Sequence, residues 1–384
     1  MQIDRRLFIK GAGGTALGLI FAPGCQTNVV RPKGLGGVFD FLTPVDPSLE
    51  GNPGRRESES FFVQWGAEAS VPDWDYDAVP VLAPEDWSLR IEGLVATELD
   101  LGFDDLRAKA NAGEEVVLLN TIRCIFDTTQ IPGLVGNALW RGVPLRSFLE
   151  DAGLDQQQTA RIRYFGRDGF ANNLRLEDVF LPATETAPVD PLLVYEMNGE
   201  PVPHVHGGPV RLLTPGRYGY KNVKWIERVV ATDDDSVFGQ YQSVFGFFDD
   251  GAVQPITKVT NPLTQAEIPA GPFDVFGYAL SGLGDITTVE VSVDGGPFEP
   301  AELVPLEDLR TSFPSIDRSL QVNSGANYPF RGVWTLFRYT WDAPVGPHTL
   351  RFRATDSAGN VQPADDNDPT DGTTAYWTVT VTAV

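Results

Sequence analysis

Val289-Glu290-Val291-Ser292-Val293-Asp294-Gly295-Gly296 decides how this chain divides. Apolar and polar residues alternate over five positions and then stop at Asp-Gly-Gly. One side of the segment is therefore buried, the other is wet, and a tight turn follows. Residues 273–278, 335–339, 349–353 and 376–381 alternate in the same way, and Ser357-Ala358-Gly359-Asn360 is a second turn signal. Helical spacing stops after about Thr257. The pattern predicts an all-β sandwich of immunoglobulin type over residues 255–384.

Upstream the periodicity is mixed. Residues 88–93 alternate as a strand does, whereas 103–110 and 144–152 carry apolar residues at helical spacing, the latter with Pro144 near its first turn. Asn198-Gly199 lies between apolar runs at 192–196 and 201–202, which is a hairpin signal. Residues 86–254 read as an α+β domain, with the break to the sandwich at 250–258. Residues 26–85 are rich in Gly, Pro and acids and predict a tether and an extended arm, with 61–66 as its apolar anchor.

The first residues predict a chain exported from the cytoplasm. Asp4-Arg5-Arg6-Leu7-Phe8-Ile9-Lys10 and the small apolar run after it resemble a twin-arginine export signal. Ala22-Pro23-Gly24-Cys25 resembles a lipid-attachment site, so residues 1–25 predict a signal and a periplasmic or cell-envelope protein anchored at Cys25. The run is too short and glycine-rich to supply the roughly 20 apolar residues of a membrane span.

Formal charge is −23, and −25 once residues 1–24 with their net +2 are removed. So acidic a surface repels nucleic acid and anionic lipid. The chain has two cysteines. If Cys25 carries lipid, Cys124 is the remaining thiol, and in an oxidising compartment it is either buried or a ligand. Two cysteines supply neither a Cys-x-x-Cys-His haem site nor a zinc set. No haem is expected, and electrons would pass to a separate carrier, a cytochrome or a quinone-linked membrane subunit.

Against that acidity stands a basic segment: His204, His206, Arg211, Arg217, Lys221, Lys224 and Arg228, opposed only by Glu227. Two of six lysines and two of three histidines fall in it. The clustering calls for an anion, most simply a phosphate, unless acids from elsewhere neutralise it. A thiol and an anion site so far apart in sequence point to one elongated cofactor that touches both. Two other signals are bland: His348 reads as a turn histidine, and the acids at 365–371 as a solvated turn without a calcium-loop register.

These residues resemble the sulfite oxidase family of molybdenum enzymes. The resemblance rests on residues 193–201, on His206-Gly207-Gly208-Pro209-Val210-Arg211 with Asn222-Val223-Lys224-Trp225, and on Trp140-Arg141-Gly142-Val143-Pro144-Leu145. Downstream, 291–296 and 353–363 are similar to the family's C-terminal dimerisation domain. The resemblance implies a molybdenum–molybdopterin cofactor and a homodimer through the sandwich. It implies that Cys124 is the thiolate ligand of the metal and that His206, Arg211 and Lys224 hold the pterin and its phosphate. Asp168 would contact the pterin, and Lys221 and Asn222 the phosphate. By sequence proximity to Cys124 alone, Phe126, Asp127 and Thr129 would line the catalytic pocket, with Phe247 from the window where the family carries a tyrosine.

The chain also departs from the family. Ile125-Phe126-Asp127-Thr128-Thr129 follows the cysteine where an arginine-containing run is usual. Gln64 and Gly66 stand where the arm usually carries arginine and histidine, and 243–248 offers Phe245, Phe247 and Phe248 where a tyrosine is expected. The missing cations would have bound a sulfite dianion, which Asp127 would instead repel. Residues 62–66 and the Arg123-Cys124 pair are more similar to the periplasmic methionine sulfoxide reductase branch, whose substrate is neutral. The reading is two-electron oxygen-atom transfer on a small sulfur-containing or related compound. The alternative from another class is a non-catalytic lipoprotein on a retired enzyme scaffold.

Overall fold

The computed structural model describes residues 79–127, 134–180, 190–312, 329–366, 368–372 and 374–384. The export signal, Cys25, the arm through Gln64 and Gly66, and Thr128 and Thr129 lie outside the described residues.

The α+β half is built on two sheets. One runs in the order Leu99–Gly102, Ser88–Gly93, Ile226–Thr232, Arg161–Gly166, Ala171–Arg175. Its central strands are tied to the start of the domain by Trp87, whose indole N–H donates to the Ile226 carbonyl at 3.0 Å. The other sheet pairs Val116–Arg123 with Val135–Pro144, then Leu192–Met197, which also takes the short strand Arg211–Leu213. The expected helices form as Phe103–Lys109 and Leu145–Asp151, the second burying Leu145, Phe148 and Leu149. Asn198 adopts φ 56° and Gly199 φ 86°, the left-handed pair that the hairpin from Leu192–Met197 to Glu200–Pro201 needs.

The second half is a sandwich. Ile256–Asn261, Gly271–Leu280, Thr335–Ala343 and Glu302–Leu303 form one sheet. Ala266–Ile268, Trp377–Ala383, Gly346–Asp356, Ile286–Val293 and Phe298–Pro300 form the other. Val289 and Val291 of the opening segment point inward with Phe337, Phe352 and Val379, so alternation marks the buried face as expected.

Helices do not stop at Thr257. Leu306–Ser312 is helical, and so, just before the break, is Gln240–Phe245. Leu309 is fully buried in the larger core, and the Pro305 carbonyl accepts from the Asp308 and Leu309 N–H groups. With so few turns, one buried leucine sets the helix, and its periodicity is invisible among strands.

The larger core ignores the expected boundary near residue 254. Leu119, Tyr218, Val223 and Tyr241 share one cluster with Ile256, Tyr278, Trp334 and Leu336. The sandwich therefore buries its first sheet against the cofactor half of its own chain. Val116–Arg123 runs through this contact. The Thr121 N–H donates to the Gly332 carbonyl at 2.8 Å, and the Thr121 hydroxyl accepts from the Trp334 N–H at 3.0 Å.

Candidate active site

Cys124 follows directly from that braced strand. Its N–H donates to the Leu134 carbonyl at 2.8 Å, its carbonyl accepts from the Asp127 N–H at 3.0 Å, and it packs with Leu134 and Phe126. The thiol is reduced and buried. The turn Gly219–Lys221 lies against it: a β-carbon on Gly219 would stand 3.6 Å from the Arg123 carbonyl and 3.8 Å from the Cys124 Cα. Tertiary folding thus brings the basic segment to the cysteine.

Asp127 sits in surroundings the sequence does not reveal. Lys258, from the sandwich strand Ile256–Asn261, donates to both carboxylate oxygens at 2.8 and 3.0 Å. Arg123 Nε lies 3.4 Å from Oδ2, and Arg123 also donates to the Asp127 carbonyl at 2.7 Å and to the Tyr218 hydroxyl at 3.0 Å. Burial alone would push the Asp127 carboxyl up, but Lys258 and then Arg123 hold it below the usual carboxylate range. The charge expected to repel an anion is therefore answered twice over. Lys258 had no sequence signal beyond being one of six lysines in an acidic chain.

The basic segment separates into two groups, apart from His204, whose Nδ1 accepts from the Trp225 indole N–H at 3.2 Å. Arg217 ion-pairs with Asp178 at 2.7 Å and with Asp250 at 3.2 Å. Lys221 is fully buried, donates to the Asn173 carbonyl at 2.9 Å and lies 3.7 Å from Asp249; burial pushes its ammonium down to about 7 while Asp249 opposes. Arg228, at the periphery, meets Glu92 at 3.2 Å and covers Phe165. Three cations thus meet acids.

His206, Arg211 and Lys224 form the remaining group. Gly207, at φ 103°, binds it together: a β-carbon there would lie 2.8 Å from the Lys224 Cβ and 3.1 Å from the Arg211 Cβ. Only glycine permits that approach. Arg211 is buried beneath Trp140 and donates to the His206 carbonyl at 2.7 Å and the Asn222 carbonyl at 3.2 Å. It makes no ion pair among the described residues, its Nε has no hydrogen-bond partner among them, and burial alone pushes its guanidinium down to about 9. Burial, then Lys224 and Arg211, hold His206 well below its ordinary value, so the imidazole is neutral. Asp168 is pushed up to about 6 by burial, against the N–H of Phe170 and the charge of Lys224.

Asn222 is placed beside this group, but its side chain is spent on the backbone. Its Oδ1 accepts from the Thr214 N–H at 2.8 Å, and its Nδ2 donates to the carbonyls of Tyr218 and Arg217 at 3.0 and 3.3 Å.

The wall around Cys124 is aromatic. Phe126 meets Phe247 at 5.3 Å, Phe245 at 5.5 Å and Tyr241 at 6.1 Å between ring centroids. Tyr241, two residues before the 243–248 stretch where the family carries a tyrosine, is stacked on Tyr220 at 5.7 Å. Tyr218, Tyr220 and Tyr241 carry hydroxyls into this cluster, and none stood out in the sequence.

A buried thiol at a strand end and a buried arginine that meets no carboxylate among the described residues are the kinds of group that hold a metal and an anionic tail. Residues 76–238 match the oxidoreductase molybdopterin binding domain and 252–383 the Mo-co oxidoreductase dimerisation domain. The chain is 28% identical to the mitochondrial sulfite oxidase of Drosophila melanogaster over 74% of its length and 53% of that protein's. It is 27% identical to human mitochondrial sulfite oxidase, over 74% and 55%. The fold is shared with the sulfane dehydrogenase SoxCD of Paracoccus pantotrophus, with a TM-score of 0.63 at 23% identity over 78% of this chain and 76% of that one. The chain belongs to the sulfite oxidase family of molybdopterin oxidoreductases. It spans about half the length of the curated relatives it matches.

Family membership implies a molybdenum cofactor, and the residues present fit one. A soft thiolate suits a metal otherwise held by sulfur. Arg211 suits an anionic tail, because a buried guanidinium with an unused donor is costly until an anion meets it.

Proposed function

We propose that this is an exported molybdenum-cofactor oxidoreductase acting on a small, uncharged sulfur compound such as a sulfoxide or thioether. The observation that carries the reading is Arg211, buried without a counter-charge among the described residues, on the segment whose Gly219 turn folds against Cys124. Cys124 would hold the metal, and His206, Arg211 and Lys224 would anchor the pterin and its phosphate. When bound, the cofactor supplies two-electron oxygen-atom transfer, which no side chain here can perform.

The chain's own residues set what may approach. Arg123 and Lys258 are committed to Asp127 and Tyr218, so these cations are not offered to a dianion. Phe126, Phe245 and Phe247 offer an apolar wall instead. An apolar wall binds a neutral sulfur compound more readily than an ion that must shed water. Export by the twin-arginine route, lipid attachment at Cys25, a homodimer through the sandwich and a separate electron carrier complete the reading.

The test is the molybdenum and pterin content of protein purified after export from a cofactor-competent host. Near one metal per chain, with sulfoxides turned over in preference to sulfite, is expected. Cys124→Ser should remove both metal and activity while leaving the fold. A folded parent without metal, despite an intact cofactor supply, would make the protein a binding lipoprotein on an enzyme scaffold.

A further inference from the structure

The Asp127 carboxylate joins three separate stretches of chain. Its Oδ1 accepts from the Leu134 N–H at 3.0 Å and from Lys258 Nζ at 2.8 Å; Oδ2 accepts from Lys258 at 3.0 Å and faces Arg123 at 3.4 Å. Leu134 is also the residue whose carbonyl receives the Cys124 N–H, and the Asp127 N–H donates to the Cys124 carbonyl. The backbone on both sides of the thiol is therefore fixed through Asp127.

Lys258 is the part of this arrangement that comes from the sandwich. It is 3% exposed, on a strand paired antiparallel with Gly271–Leu280 (Lys258 opposite Tyr278) until the register shifts after Val259, and its ammonium lies 5.5 Å over the Trp377 ring. A buried ion pair is a weak source of stability, because desolvation cancels much of its Coulomb gain. What a buried pair does supply is direction, and here it acts on a carboxylate that an apolar residue at 258 would leave with Arg123 at the longer distance.

We infer that Lys258 is a positioning residue for Cys124: through Asp127 the sandwich domain sets, within one chain, the loop that carries the metal-binding thiol. The sandwich is then part of the cofactor site as well as a surface for a second subunit. The inference rests on the reading of Cys124 as ligand, but its first readout does not.

The experiment uses the full chain as purified, with Lys258→Met, Lys258→Arg and the double change Asp127→Asn with Lys258→Met. The rate at which iodoacetamide alkylates Cys124 is followed by mass spectrometry, beside molybdenum per chain and the visible absorption of the loaded protein. Lys258→Met should raise the alkylation rate roughly tenfold, lower bound molybdenum by roughly tenfold or more and shift the absorption, as loss of a partner to a metal ligand does. Lys258→Arg, which keeps the cation, should stay near the parent. The double variant leaves Arg123 buried without its carboxylate, so it should melt below the parent, and it should keep the fast alkylation.

Parent-like alkylation, metal content and absorption in Lys258→Met or the double variant, with only the melting point moved, would overturn the inference. Failure of both to fold while Lys258→Arg is normal would overturn it too, since the pair would then serve folding and not position. A parent without molybdenum would count against the proposed function alone, because alkylation of Cys124 still decides the role of Lys258.

Discussion

Arg211 and Arg217 lie on one short stretch, both buried, and the protein treats them in opposite ways. Arg217 reaches Asp178 and Asp250, and its Nε donates to the Asp250 carbonyl at 3.1 Å. Arg211 has carbonyl partners and an aromatic ring but no carboxylate among the described residues. A buried arginine with its acids in place is structural. One whose acids are missing is held for something that arrives later, and its burial costs stability until then. The basic segment is therefore two devices in one run of sequence.

The largest break in this contrast should come from Arg217→Met. It leaves Asp178 half-buried without its cation and should cost about 3 kcal/mol in urea unfolding, with molybdenum per folded chain unchanged. Loss of cofactor at full stability would mean that Arg217 belongs to the anion site after all.

Asp168 should show its effect through pH. Its carboxyl titrates at about 6 when folded, above the unfolded value near 4. Between those values the folded state holds the extra proton, so this group's contribution improves as pH falls from 6 to 4 and is fully unfavourable above 6. Asp168→Asn should therefore stabilise the cofactor-free chain by about 2–3 kcal/mol at pH 7, and the gain should vanish below pH 4. A gain that persists there would place the cause outside titration.

Arg211→Met should separate binding from stability. Cofactor retention on dialysis should fall roughly tenfold or more, the worth of one charged hydrogen bond of about 2 kcal/mol, while the cofactor-free chain melts higher. A lower melting point would show that the guanidinium supports the fold. The smallest effect is expected of Arg228→Gln, where a half-exposed pair with Glu92 is lost. Stability should move by less than about 1 kcal/mol and metal content not at all.

Much of the fold was legible, because the five longest strands of the sandwich and the Asn198-Gly199 hairpin carry their own local period or turn chemistry; Ile256–Asn261 and the two- and three-residue strands Ala266–Ile268, Phe298–Pro300 and Glu302–Leu303 do not. The helix Leu306–Ser312 was missed because its signal is Leu309, with Leu306, joining the core shared by both halves, which is tertiary burial and not a pattern. The site was legible where single residue types are rare. Cys124 is the one thiol outside the N-terminal segment, and cations are conspicuous in an acidic chain. The role of Asp127 was not legible, and the sequence view of it as a repelling charge overlooked Lys258, which is 131 residues away.

Local sequence determined the longer strands, the turns and the residue types that could bind a metal and an anion, because periodicity and scarcity are properties of a linear string. Tertiary structure decided which cations keep a counter-charge and which do not. It also decided that the first sheet of the sandwich packs on its own cofactor half and that Lys258 reaches Asp127. Charge neutralisation depends on distance in space, and in a buried, weakly screened interior a few ångströms settle whether a cation is structural or held for a ligand.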